Sequence, residues 1–178
     1  ELLVYLHGAG DNAKRIAAVL KDWSRKEKII LMCVNASIRR GDDRYIWTSR
    51  DNKRILDEIK KRKEDMTISK VYLMGFSQGA HYTFSNGLFN PQTFDGIIPM
   101  AGGASWMNSE KGKEILQKAK SVPVYLIHGT KDRVIPVSES EKAHKHLKEA
   151  KFNVEFYKWE GEHFFPDDWD KQFSVALD

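Results

Sequence analysis

Short apolar runs recur along the chain, and longer stretches of mixed polarity separate them. Five of the six runs are nearly continuous in apolar residues, which is typical of strands buried on both faces of a parallel sheet. The sixth run alternates apolar and polar residues, as a strand near a sheet edge does. The predicted strands are Leu2–Leu6, Ile29–Val34, Val71–Phe76, Gly96–Met100, Val122–Ile127 and Val154–Trp159.

Apolar residues between these strands recur at three- and four-residue spacing, and this period predicts amphipathic helices. The predicted helices are Asn12–Lys26, Asn52–Lys63, Gln78–Leu88, Ser109–Lys120, Ser138–Ala150 and Pro166–Leu177. Alternation of strands and helices predicts an α/β fold, with about six mostly parallel strands and helices on both faces of the sheet. No glycine- or proline-rich linker interrupts the pattern, so we predict a single domain over residues 1–178.

The composition is that of a globular protein. The chain has 178 residues, of which 41% are hydrophobic and 30% charged, and this excludes disordered and collagen-like classes. No apolar run approaches the roughly 18 residues of a membrane helix, so we predict no membrane span. We expect a soluble protein, and the sequence leaves open whether it is cytoplasmic or secreted. A single cysteine, Cys33, excludes a disulfide framework and a multi-cysteine metal site, and we interpret it as a buried, inert thiol.

The formal charge is 29 − 25 = +4, and the excess is concentrated in one stretch. Arg39–Lys63 holds ten basic and five acidic residues, a net of +5. We interpret this stretch mainly as a solvated loop and helix face. The alternatives are steering of anionic substrates by Arg39, Arg40 and Arg44, or an inactive module that binds anionic partners. Because the chain carries a complete set of candidate catalytic residues, described next, we predict no nucleic-acid partner.

Three candidate catalytic side chains each follow a predicted strand. Ser77 stands in Gly-Phe-Ser-Gln-Gly at 75–79, which matches the G-x-S-x-G elbow between a strand and a helix. Asp132 and His163 follow two later strands, and the carboxyl ends of parallel strands meet at one edge of a sheet. We therefore predict Ser77 as the nucleophile, His163 as its base and Asp132 as the carboxylate that orients the base. The alternatives are a loop-capping role for Asp132 and a surface position for His163.

The first strand ends in a glycine-rich turn, His-Gly-Ala-Gly-Asp at 7–11. Acyl transfer needs two N–H donors for the oxyanion of the tetrahedral intermediate. We predict that the backbone N–H groups of Ala9 and Gln78 supply them. A glycine turn with a helix cap at Asp11 is the alternative, and the same turn can serve both roles.

Aromatic residues close to strand ends are candidates for substrate contacts. We predict this role for Trp47, Trp106 and Phe164, although such residues belong about as often to the core. Connections between elements are short apart from Asn35–Asp51, which predicts an open site without a large lid. We therefore expect a small-molecule ester substrate.

These motifs resemble those of the α/β-hydrolase superfamily over nearly the whole chain, and within it the phospholipase/carboxylesterase group, which includes acyl-protein thioesterases. The resemblance is carried by Leu-His-Gly-Ala-Gly-Asp at 6–11, by the serine elbow at 75–79, and by His-Gly-Thr-Lys-Asp at 128–132. It implies a serine esterase that needs no metal or cofactor, and it supports Ala9 and Gln78 as oxyanion donors.

Our predicted function is a serine carboxylesterase that acts on small or exposed esters. The segment Gly-Glu-His-Phe-Phe around His163 departs from the small-residue loop of the thioesterases. An acyl thioesterase, a feruloyl- or polyester-type esterase and a peptidase with the same triad therefore remain alternatives.

The family fold usually opens with two strands before the one at Leu2–Leu6, and this chain lacks them. The resemblance then places Ile29–Val34 at an edge of the sheet. A continuous apolar edge invites pairing with another chain, so we expect upstream residues, or a second copy in a homodimer, to cover Ile29–Val34.

Overall fold

The computed structural model describes residues 1–119 and 121–177, in which strands and helices alternate. The strands are β1 (Leu2–Leu6), β2 (Ile30–Val34), β3 (Ile38–Arg39), β4 (Tyr45–Ile46), β5 (Val71–Phe76), β6 (Gly96–Met100), β7 (Val124–Gly129) and β8 (Val154–Trp159). The α-helices are α1 (Ala13–Lys26), α2 (Asp51–Asp65), α3 (Gln78–Phe89), α4 (Glu110–Ala119), α5 (Ser138–Glu149) and α6 (Trp169–Val175). A 3₁₀ turn covers Ser105–Asn108.

In the described residues, six of the strands form one sheet in the order β2-β1-β5-β6-β7-β8. Every pair in it is parallel, so the predicted α/β architecture is confirmed. β2 forms one edge of this sheet, as the family resemblance implied for Ile29–Val34. Its pairing with a second chain stays a prediction.

Helices cover both faces of the sheet, because successive residues of each strand point to opposite sides. On β1, Leu2, Val4 and Leu6 join the core under α2, α3, α4 and α5. Leu3 and Tyr5 join a second core under α1 and α6. All five residues are at most 1% exposed. The central strands are therefore buried on both faces, which explains their continuous apolar sequences.

Element boundaries differ from the predicted ones at several places. β7 begins two residues later than predicted, at Val124, since Pro123 has no N–H to contribute to a strand ladder. The last helix is confined to Trp169–Val175, so the residues from Pro166 onward form a turn before it. Lys120, at the end of one predicted helix, lies outside the described residues.

A short antiparallel ribbon within the loop Asn35–Asp51 was not predicted. β3 and β4 pair through Ile38 with Ile46 and Arg39 with Tyr45. Strands of two residues leave no periodic signal in the sequence. The ribbon also contacts the turn after β1, since Tyr45 forms a bridge with Asp11. The ribbon therefore helps to hold the turn after β1 in place.

Candidate active site

Ser77 occupies a strained turn between β5 and α3. Its backbone angles are φ 56° and ψ −118°, a region that costs a residue with a side chain of order 1–3 kcal/mol. The surrounding glycines make the turn possible. A Cβ on Gly75 would lie 2.4 Å from the Gly79 oxygen, and a Cβ on Gly79 would lie 2.1 Å from the Leu6 oxygen. The serine thus stands at the N-terminus of a helix that packs closely on β1.

Asp132 and His163 meet across the loops that follow β7 and β8. Nδ1 of His163 lies 2.6 Å from Oδ2 of Asp132. The other carboxylate oxygen, Oδ1, accepts the backbone N–H groups of Val134 at 2.8 Å and Ile135 at 2.9 Å. Burial alone would raise the pKa of Asp132, but the hydrogen bonds from His163 and the two N–H groups hold it below its ordinary value. The carboxyl group is therefore an anion that orients the imidazole.

His163 also lies beside the serine elbow. Its ring centre is 4.7 Å from that of Phe76, the residue before Ser77. No hydrogen bond joins the Ser77 hydroxyl to His163 within residues 1–119 and 121–177. Hydrogen bonds of this kind are often long in ligand-free enzymes and tighten when substrate binds.

The turn after β1 lies directly against Ser77. A Cβ on Gly8 would be 3.5 Å from the Cβ of Ser77. The turn is held by hydrogen bonds from Gly10 N–H to Tyr45 O at 2.9 Å and from Asp11 N–H to Gly8 O at 3.2 Å. In the described part of the chain, the N–H groups of Ala9 and Gln78 have no acceptor. Both are thus available to an incoming oxygen.

Trp47 belongs to the core instead of lining the site, contrary to our expectation. It is 2% exposed, and its indole N–H donates to the His7 backbone oxygen at 2.7 Å. The Gln78 side chain accepts from Trp47 N–H at 3.0 Å and donates to Trp47 O at 3.3 Å. An aromatic residue beside a strand end looks the same in sequence whether it lines a pocket or supports one.

His7 supports the same turn from inside. Nε2 accepts the backbone N–H of Ala36 at 3.1 Å, so the ring proton is on Nδ1 and donates to Gly8 O at 2.7 Å. Burial lowers the pKa of His7, which favours the neutral ring that this arrangement requires.

Asp51 organises the long loop and was missed by the sequence analysis. Its side chain is fully buried and pairs with Arg54, with Nη2 2.6 Å from Oδ1. Oδ2 accepts the N–H of Thr48 at 2.9 Å and the hydroxyl of Ser37 at 3.0 Å. Arg54 also donates to Asn35 O. Arg54 follows Asp51 at i,i+3, but that spacing is common on exposed helices and gives no sign of burial.

The structure does not bring Trp106 to the site. Its ring packs on Phe89, with centres 4.9 Å apart, and Phe89 is the last residue of α3. With a rise of about 1.5 Å per residue, Phe89 lies roughly 18 Å from Ser77 along the helix. Phe164, by contrast, follows His163 directly and is 66% exposed, so it stays a candidate for substrate contact.

The basic residues of the ribbon lie near the same edge of the sheet. Arg39, Arg40 and Arg44 are exposed, and Tyr45 ties the ribbon to the turn that contains Ala9.

Within the described ranges, no group of three or more His, Cys, Asp or Glu side chains could hold a metal ion. No helix among residues 1–119 and 121–177 is long and apolar enough to cross a membrane.

A sequence model of the Phospholipase/Carboxylesterase family matches residues 48–168, more than half of the chain. The chain belongs to this family. The matched range includes Ser77, Asp132 and His163, whereas Ala9 lies before it.

Curated relatives resemble part of the chain. Carboxylesterase SOBER1 of Arabidopsis thaliana is 31% identical over 91 residues, 51% of this chain and 40% of that protein. Acyl-protein thioesterase 1 of Eremothecium gossypii is 32% identical over 76 residues, 43% of this chain and 32% of that protein. A protein of Oryza sativa subsp. japonica named as a probable inactive carboxylesterase is 30% identical over 86 residues, 48% of this chain and 35% of that protein. The matches thus cover less than half the length of each relative.

Solved structures resemble nearly the whole chain. An uncharacterized protein from Bacillus cereus ATCC 10987 superposes with a TM-score of 0.89 at 21% identity, over 99% of this chain and 58% of that one. Arabidopsis thaliana SOBER1 superposes with a TM-score of 0.77 at 18% identity, over 99% of both chains. At these identities the superpositions establish the α/β-hydrolase fold alone.

Proposed function

We propose that this protein is a serine hydrolase of carboxylic esters. The observation that carries the proposal is the 2.6 Å hydrogen bond between His163 and Asp132, formed beside a serine with φ 56°. A strained serine at a helix N-terminus and a histidine oriented by a buried carboxylate are the parts that nucleophilic acyl transfer requires. Family membership supports the same reaction class.

In the proposed reaction, the Ser77 hydroxyl attacks the acyl carbonyl and Nε2 of His163 takes its proton. Asp132 keeps the His163 proton on Nδ1, which leaves Nε2 free to act as the base. The same proton then passes to the leaving alcohol as the acyl-enzyme forms. Water, deprotonated by His163, attacks the acyl group, and the acid and free Ser77 are released.

The N–H groups of Ala9 and Gln78 bind the developing oxyanion. The Gln78 N–H lies at the start of α3, where the helix dipole favours negative charge. Loss of one such donor typically costs about 10²–10³-fold in rate. The buried bonds around Trp47 and His7 hold the turn that carries Ala9, so they support this donor.

We propose small or exposed esters as substrates because the rim of the site is open. Val134 and Phe164, which flank Asp132 and His163, are 68% and 66% exposed. Phe164 would contact the acyl or alcohol group. Thioesters, feruloyl or polyester substrates and peptides are the alternatives for the same triad.

Hydrolysis of a substrate panel tests the proposal. The panel contains p-nitrophenyl esters of increasing acyl length, an acyl thioester, a feruloyl ester and a peptide anilide, each assayed with wild type, Ser77→Ala and Asp132→Asn. We expect short esters to be hydrolysed fastest. The Ser77→Ala variant should lose about 10⁴-fold or more of kcat, and Asp132→Asn about 10³–10⁴-fold, because the amide no longer fixes the His163 tautomer.

Ser24→Ala is the matched control for the serine variant. Ser24 is a buried serine on α1 and donates to Lys21 O at 2.9 Å, so its loss should leave kcat unchanged. Ester hydrolysis that survives Ser77→Ala would refute the proposed nucleophile. A wild-type chain that binds anionic partners and hydrolyses no member of the panel would favour the inactive binding module.

A further inference from the structure

Asp132 contacts a second histidine besides His163. Nε2 of His128, on β7, lies 3.2 Å from the same Oδ2 atom that faces His163 Nδ1. The side chains of Asp132 and His128 are both fully buried. Oδ2 therefore serves two imidazoles, and the mechanism proposed above uses only one of them.

The proton of His128 can be placed from its neighbours. Nε2 is also 2.8 Å from the backbone oxygen of Ile135, which can only accept a hydrogen bond. Nε2 therefore carries a proton and donates it to Ile135 O and Asp132 Oδ2. Burial lowers the pKa of His128, which favours the neutral ring with this proton on Nε2.

The opposite ring atom connects to the serine elbow. The Ser140 hydroxyl lies 2.7 Å from Nδ1 of His128 and 2.6 Å from Gly102 O. Because the ring proton is on Nε2, Nδ1 can only accept, so the single hydroxyl proton is donated to one of these two acceptors at a time. Gly102 packs against the elbow, since a Cβ there would lie 3.1 Å from Ser77 O and 2.6 Å from the Ala80 Cβ. Buried polar contacts through His128 and Ser140 thus connect the Asp132 carboxylate to the loop that supports Ser77.

We propose that His128 is a positioning residue for the triad, with Nε2–H tuning the Asp132 carboxylate and Nδ1 accepting from the Ser140 hydroxyl, which also reaches the Gly102 loop. This inference rests on the proposed hydrolase function. The Nε2–H bond neutralises part of the charge that His163 would otherwise meet on Oδ2. His128 thereby limits how strongly Asp132 stabilises the protonated form of His163.

The charged and titratable groups around His128 come from the loops that follow β7 and β8. The charges of Asp132 and His163 act on His128, and Asp132 is hydrogen-bonded to His163. The remaining charged residues of the two loops are exposed except Asp168, which is half-buried and accepts from Tyr157 and Gln172. The exposed ones are Lys131, Arg133, Glu160, Glu162 and Asp167. A change at His128 is therefore transmitted to His163 through Asp132.

Two amide substitutions separate the roles of the two ring nitrogens. The amide nitrogen of glutamine takes nearly the place of Nε2 as a donor, whereas the amide oxygen of asparagine takes nearly the place of Nδ1 as an acceptor. His128→Gln thus keeps the donor to Asp132 and loses the bond to Ser140, and His128→Asn does the reverse. Ser140→Ala removes the hydroxyl that contacts both His128 Nδ1 and Gly102 O and keeps the contact of Nε2 with Asp132. Ser24→Ala is its buried control.

The readouts are the pKa of His163, followed by NMR of its imidazole, and the pH profile of kcat/KM for a short ester. We expect His128→Asn to raise the midpoint of His163 by about half a pH unit and to lower kcat about tenfold. His128→Gln should leave the midpoint within about 0.2 units of wild type. Ser140→Ala should lower kcat several-fold without moving the midpoint, and Ser24→Ala should change neither quantity.

Equal loss of activity in His128→Asn and His128→Gln with an unmoved His163 midpoint would overturn the proposal and leave His128 as a packing residue. The NMR readout needs no turnover, so it separates failure of this inference from failure of the hydrolase proposal. If the variants do not fold, ¹⁵N NMR of wild type decides. We expect a protonated Nε2 on His128 whose signal moves as His163 titrates, and an unprotonated Nε2 would contradict the proposal.

Discussion

Trp47 donates its indole N–H to the backbone oxygen of His7 at 2.7 Å, across 40 residues of sequence. The Gln78 side chain accepts a hydrogen bond from the backbone N–H of the same tryptophan and donates one to its backbone oxygen. His7 precedes the turn that carries Ala9, and Gln78 follows Ser77. One buried residue therefore ties together the two segments that would supply the oxyanion donors.

The Trp47→Phe variant tests this link, because it keeps an aromatic ring and removes the N–H donor. The His7 oxygen would lose its buried partner, which typically costs about 1–3 kcal/mol. We expect a lower free energy of unfolding in urea and a lower kcat with little change in KM, since the oxyanion forms only in the transition state.

Trp106→Phe is the control for that variant. The Trp106 indole nitrogen is buried and has no hydrogen-bond partner among residues 1–119 and 121–177. Its replacement should therefore leave kcat and KM at wild-type values. A higher KM for Trp106→Phe than for wild type would indicate that Trp106 contacts the substrate, contrary to its position beside Phe89.

Gly79→Ala should be severely destabilising. The added methyl group would lie 2.1 Å from Leu6 O and 2.7 Å from His7 O, so α3 would have to move away from β1. We expect a loss of about 3 kcal/mol or more in thermal or urea unfolding. Gly41→Ala is the comparison, since Gly41 has open space around it and φ +76°, and should cost only about 1–2 kcal/mol of backbone strain. Equal stability of Gly79→Ala and wild type would contradict the packing.

Asp51 should make stability depend on acid. Burial would raise its pKa, but the bonds from Arg54, Thr48 and Ser37 hold it below its ordinary value. A depressed carboxyl pKa stabilises the fold above the pKa of the unfolded state, about 4, and this contribution is lost as the pH falls through the folded pKa. The free energy of unfolding of wild type should therefore fall below about pH 4.

Asp51→Asn isolates that contribution. At neutral pH it leaves the partly buried Arg54 without its anion, and we expect a loss of about 3 kcal/mol. Its unfolding free energy should also depend less steeply on acid than that of wild type. Parallel pH profiles for the two proteins would show that Asp51 is not the group responsible.

Much of the fold was predictable because it depends on local patterns. The central strands are buried on both faces, and Leu2–Leu6 and Val71–Phe76 record this as continuous apolar runs. The elbow at Ser77 was predictable for a related reason, since its sequence motif lies within one strand-turn-helix unit, although Gly79 is required by its contact with Leu6 of β1. Such signals are contained in a few consecutive residues.

Contacts between distant segments were not predictable in this way. The burial of Trp47 depends on His7 and Gln78, and the position of Trp106 depends on Phe89 at the far end of α3. In the sequence, His128 stood out only as part of the motif His-Gly-Thr-Lys-Asp at 128–132, although its i,i+4 spacing to Asp132 was visible. That spacing brings the two side chains into contact only because the loop after β7 turns Asp132 back towards the strand.

Labelling with a fluorophosphonate probe tests the central claim most directly, because the reagent forms a covalent adduct only with an activated serine. We predict one adduct in wild type, located by mass spectrometry on Ser77, with no labelling of Ser77→Ala and strongly slowed labelling of His163→Ala. Labelling of Ser77→Ala at the wild-type rate, or no labelling of folded wild type, would contradict the account.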